Sequence, residues 1–111
     1  MDDRPNILLF VTEQHRGDCL GIEDHPVLMT PNMDAIAGAG ARFTRAYTTV
    51  PSCIAARRSL LSGQFPRIHG MVGYREGVEW DIEDTLPAAL TRAGYQTTWV
   101  GRNMHHYPPE K

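Results

Sequence analysis

Between Pro5 and Thr12 the chain reads Asn6-Ile7-Leu8-Leu9-Phe10-Val11, five apolar residues in succession with no polar break. The run is too short for an ordinary helix. It also lacks the alternation of a strand with one wet face, so it is expected as a strand covered on both faces, as parallel sheets require. Such a strand needs helices above and below it, and the rest of the chain supplies candidates. Thr30-Pro31 reads as an N-cap followed by an N1 proline, with Met33, Ile36 and Ala37 at helical spacing and Gly38 and Gly40 closing the segment. A strand is expected over 41–47. Ser52 precedes a second helix over 54–62, ended by Gly63 and then Pro66. After a glycine-punctuated loop, Asp84 or Thr85 caps a third helix through Arg92. Gly94 ends that helix, and residues 95–100, rich in Thr, Tyr, Trp and Val, are expected as a strand.

This order predicts an α/β fold with a largely parallel central sheet flanked by helices. In such sheets sites form at the C-terminal ends of strands. Three polar clusters fall there: residues 12–16, Ser52-Cys53, and residues 101–106.

Charge narrows the partners. The formal net charge is −2, with 11 Lys and Arg scattered among 13 Asp and Glu, so no basic face for nucleic acid is expected. The start, Met1-Asp2-Asp3-Arg4-Pro5, is acidic where a signal peptide carries positive charge, and the run at 7–11 is far too short to cross a membrane. Neither export nor a membrane partner is expected, and a cytoplasmic location is the simplest reading. Cys19 and Cys53 lie far apart without CxxC or Cys/His spacing, which supports neither a structural zinc site nor a disulfide framework.

Cys53 stands where a loop enters a helix, so a group on its side chain faces the positive end of that helix. Arg57, four residues on, shares its face and could fork onto a tetrahedral oxyanion held near residue 53. Spacing alone suits equally a small buried residue at 53 and a solvated arginine at 57.

The wider string separates these readings. Pro51-Ser52-Cys53-Ile54-Ala55-Ala56-Arg57-Arg58-Ser59-Leu60-Leu61-Ser62-Gly63 resembles the signature of the formylglycine-dependent sulfatases of the alkaline phosphatase superfamily. The resemblance implies that Cys53 is oxidised by a formylglycine-generating maturation enzyme. The hydrated aldehyde then attacks sulfur, and its second hydroxyl expels sulfate by regenerating the aldehyde. Arg57 would hold the oxyanion. Ala55 stands where many members carry proline.

Flanking segments extend the likeness. Residues 5–14 are similar to the family's opening strand, which implies that Glu13 and Gln14, together with residue 53, bind a divalent metal, calcium by family habit. Glu13 departs from the usual aspartate by one methylene. His15-Arg16-Gly17-Asp18-Cys19-Leu20-Gly21 and Thr30-Pro31-Asn32-Met33-Asp34 follow family scaffold patterns, and Asp34 reads as a first-turn helix carboxylate rather than a ligand. Pro66-Arg67-Ile68-His69-Gly70 matches a pocket-shaping turn. Around Gly101-Arg102-Asn103-Met104-His105-His106, Arg102 takes the place of a sulfate-binding lysine, and His105 that of a histidine serving the leaving group. Asn103 stands as an insertion between them.

The resemblance therefore implies sulfate ester hydrolysis, with residues 1–111 as the N-terminal part of a longer catalytic domain and inactive alone. Two alternatives stay open. One is a phosphonate or phosphate monoester hydrolase of the same superfamily, and the other a non-catalytic anion-binding α/β module.

Overall fold

Helix starts in this chain coincide with its capping residues. In the computed structural model, which describes residues 3–102, α1 spans Pro31–Ala39, α2 spans Cys53–Ser62 and α3 spans Leu86–Arg92. A 3-10 turn covers Gly21–Glu23. Thr85 caps α3 as its sequence position suggests, Oγ1 accepting from the Ala88 N–H at 3.2 Å, with Pro87 inside the first turn. Gly63 ends α2 at φ 68°, a left-handed conformation that glycine adopts without steric cost, and its N–H donates to the Ser59 carbonyl at 2.8 Å.

The chain divides into two units, one running through Ala46 and the other from Tyr47. In the first, the 3-10 turn packs on α1 through Asp34. The Asp34 Oδ1 accepts from the Ile22 N–H at 3.1 Å and from the Thr30 hydroxyl at 2.8 Å, while Thr30 Oγ1 accepts from the Gly21 N–H at 2.8 Å. Thr30 thus holds the N-cap position of α1 but spends its side chain on the 3-10 turn rather than on a cap bond. The Asp34 carboxylate lies so close to Gly21 that a side chain there would displace it. His25 closes a turn, its Nδ1 accepting from the N–H groups of Val27 and Leu28 at 3.2 and 2.9 Å.

In the second unit α3 packs on α2. The core consists of Val50, Ile54, Ala55 and Met71, with Ala56 and Val78 against it. Ala55 is 0% and Met71 2% exposed.

The expected sheet is where structure and sequence part. Among the described residues no strand forms: 6–11, 41–47 and 95–100 all run without regular pairing. The five apolar residues at 7–11 are between 55% and 80% exposed. A strand of this kind is stabilised by neighbours on both edges and by layers on both faces, all of them non-local. None of the described segments supplies them, so the run keeps its strand-like composition without strand hydrogen bonds. Among the described residues no helix is long and apolar enough to cross a membrane.

Candidate functional site

The site residues with the most context lie on α2. Ser52, in an extended conformation (φ −143°, ψ 125°), turns the chain into the helix. The helical ladder opens with the Ala56 N–H donating to the Ser52 carbonyl at 2.8 Å, so residue 53 sits in the first turn, at the positive end of the helix dipole. Cys53 is half-buried, and Arg57 is half-buried one turn further along. That is the i, i+4 relation needed for one face. Between them, fully enclosed Ala55 leaves no room for a larger side chain without repacking.

The neighbouring arginine behaves differently. Arg58 is 4% exposed. Its Nη1 donates to the His69 carbonyl at 3.4 Å and its Nη2 to the Val78 carbonyl at 2.5 Å, while its guanidinium lies 5.3 Å from the centre of the Trp80 ring. Burial pulls the guanidinium below its ordinary range and Asp81 opposes that shift. Trp80 is therefore a packing partner of an arginine.

His69 is buried beside it. Its Nδ1 accepts from the Met71 N–H at 3.3 Å, so the proton resides on Nε2, which donates to Ser59 Oγ at 2.9 Å. The ring is thus held neutral. Burial lowers its affinity for a second proton, a backbone hydrogen bond works against that, and the charge of Arg58 adds to the lowering. His69 thus links α2 to the backbone of the following loop.

The other site residues fall elsewhere. Glu13 and Gln14 belong to the first unit and are exposed, and Gln14 adopts φ 52°, a left-handed conformation uncommon outside glycine. Backbone strain of that sort collects at functional positions. Following them, Arg16 forks onto Asp18 through Nε at 3.0 Å and Nη2 at 2.6 Å, and the His15 ring reaches the Cys19 carbonyl at 2.8 Å. The Arg16 hydrogen bond holds the Asp18 carboxyl below its usual range. Arg102 is exposed in the second unit. His105 lies outside the described residues, as does Asn103. Among the described residues, no cluster of three or more His, Cys, Asp or Glu side chains assembles a metal site.

Arg58 is the residue that motif reading passes over. A signal for it exists in the sequence: Arg58 stands four residues after Ile54 and Ser59 four after Ala55, which puts both on the apolar face of α2.

Comparison with known proteins gives a consistent picture. The profile of the family described as Sulfatase matches residues 5–108. An arylsulfatase of Clostridium perfringens is 48% identical over 105 residues, covering 95% of this chain and 22% of the relative. An ulvan-active sulfatase of Formosa agariphila is 35% identical over 100 residues (89% of this chain, 19% of the relative), and a choline-sulfatase of Rhizobium meliloti 34% over 109 residues (97% and 21%). The chain spans about a fifth of the length of these relatives. No solved structure gives a significant match.

Proposed function

The chain belongs to the sulfatase family, and from that premise we propose that it forms the N-terminal part of a sulfuric ester hydrolase whose nucleophile is made from Cys53. The observation that carries the reading is the start of α2. Cys53 occupies the first turn and half-buried Arg57 follows on the same face, within the family match.

Each residue has a role set by its chemistry. Residue 53, matured to formylglycine by its generating enzyme, supplies as the hydrate one hydroxyl for attack and a second whose deprotonation releases sulfate. Arg57 presents a planar fork of N–H donors that matches a tetrahedral oxyanion and stabilises charge as it develops. Arg102 adds a positive charge for the sulfate. His105 delivers a proton to the leaving oxygen, a task suited to imidazole near neutral pH.

The carboxylate of Glu13 and the amide oxygen of Gln14 are hard donors, adjacent in the chain, and Gln14 adopts a left-handed backbone. They would hold a divalent cation, calcium being the ion that tolerates mixed carboxylate and amide oxygens. A cation held there would supply Lewis-acid chemistry. An alkaline phosphatase-like α/β sheet, completed by sequence beyond these residues, is part of the same proposal.

The test compares an aryl sulfate with an aryl phosphonate monoester as substrates of the complete protein, coexpressed with a formylglycine-generating enzyme. A higher kcat/KM for the sulfate is the expected result. Preference for the phosphonate overturns the sulfate assignment, and hydrolysis of neither overturns the hydrolase reading.

A further inference from the structure

α2 carries two adjacent arginines with opposite fates. Successive helical residues are rotated by about 100°, so while Arg57 shares the face of Cys53, Arg58 turns towards the loop that follows the helix. There it is gripped at three points: the carbonyl of His69, the carbonyl of Val78 and the face of Trp80. Ser59, the next residue on α2, makes a separate link to the same loop through His69 Nε2. The partners of Arg58 lie 11 to 22 positions further along the chain, so the arginine ties one rigid helix to two separate stretches of an otherwise irregular segment.

The arrangement is a poor choice if only stability is at stake. The guanidinium is desolvated, and its Nε has no hydrogen-bond partner among the described residues. A buried charge of this kind is commonly matched or bettered by an apolar residue of similar volume. What an apolar residue lacks is direction. Two carbonyls and an aromatic plane fix the guanidinium in orientation, and through its stem they fix the rotation and axial position of α2.

We propose that Arg58 is a positioning residue for the sulfatase reaction, holding α2 so that residue 53 and Arg57 meet the sulfate group in one geometry. This rests on the function proposed above. Misplacement of reacting groups by about 1 Å can cost on the order of a hundredfold in rate, so the effect belongs in kcat.

The experiment uses the complete, matured enzyme as wild type, Arg58→Met, Arg58→Lys and Trp80→Leu. For each, the aldehyde content at residue 53 is measured by mass spectrometry, Tm by calorimetry, and kcat and KM with an aryl sulfate, kcat being normalised to aldehyde. The expected result for Arg58→Met is a folded enzyme with kcat down roughly ten- to a hundredfold and KM changed much less. Arg58→Lys, which keeps a cationic donor, recovers part of the loss, and Trp80→Leu shows a smaller loss of the same kind. Wild-type normalised kcat in folded Arg58→Met overturns the proposal. If Arg58→Met fails to fold, unchanged kcat in both Arg58→Lys and Trp80→Leu overturns it instead. A wild-type enzyme inert towards sulfate esters overturns the underlying function and the positioning role with it, a result distinct from either of the others.

Discussion

Replacing Ser59 with alanine gives a sharp test of the packing around α2. The imidazole of His69, 7% exposed, spans two buried groups: Nε2–H donates to Ser59 Oγ at 2.9 Å and Nδ1 accepts from the Met71 N–H at 3.3 Å. Without Oγ the Nε2 proton has no acceptor there. Shifting that proton to Nδ1 does not help, because the Met71 N–H is then orphaned instead. Either tautomer leaves one buried polar group unsatisfied, at a cost of about 1–3 kcal/mol. Native-state hydrogen exchange at the Met71 amide reads that cost locally, whatever the size of the complete protein. At about 1.4 kcal/mol per tenfold, exchange in Ser59→Ala should accelerate roughly 5- to 150-fold over wild type at the same pH. Exchange within twofold of wild type would refute the bridge. The wild type has its own signature. Burial lowers the proton affinity of folded His69, so the opened state takes up a proton at the higher pH. The contribution of the bridge is complete above the open-state value of about 6.5 and is lost as pH falls through that value towards the lower folded one. Met71 protection, corrected for intrinsic exchange, should therefore be flat above neutrality and decline below it. A rise in protection on acidification would contradict the neutral, two-bond assignment.

Arg57→Ala in the complete enzyme should lower kcat for an aryl sulfate by roughly a hundred- to a thousandfold, the usual cost of removing an oxyanion donor; a change under threefold argues against its role. Gly21→Ala places a methyl group where the Asp34 carboxylate sits, and should free the Ile22 amide to exchange faster, whereas unchanged Ile22 protection would show that the carboxylate moves without penalty. Purified residues 1–111 should show no turnover of aryl sulfate, and sustained turnover would contradict the proposal that the catalytic domain requires further sequence.

Features decided by a few neighbouring residues are legible in the amino-acid sequence itself. Thr30-Pro31, Ser52, Thr85 and Gly63 mark helix ends through local stereochemistry, and the helices begin and stop where those residues stand. The side chain of Thr30 shows the limit: its position is readable, but the bond that it accepts from the Gly21 N–H depends on a turn nine residues away. Strands are legible only as composition. The residues at 7–11 have the apolarity of a central strand, yet pairing depends on partners that the described residues do not provide. The same division runs through the site. The relation of Cys53 to Arg57 follows from helix periodicity, whereas the burial of Arg58 depends on a loop folding back to bring Trp80 and the Val78 carbonyl over it. Counting four residues on from Ile54 places Arg58 on the apolar face, but an arginine there reads as an anomaly without the partners that the loop brings to it.

The account stands or falls on what residue 53 becomes. Mass spectrometry of the peptide spanning Ser52 to Arg57, taken from the complete protein coexpressed with a formylglycine-generating enzyme and assayed in parallel with an aryl sulfate, tests it directly. The predicted result is an aldehyde in place of the Cys53 thiol, with activity proportional to the aldehyde fraction. Full sulfatase activity from protein whose Cys53 remains an intact thiol would contradict it.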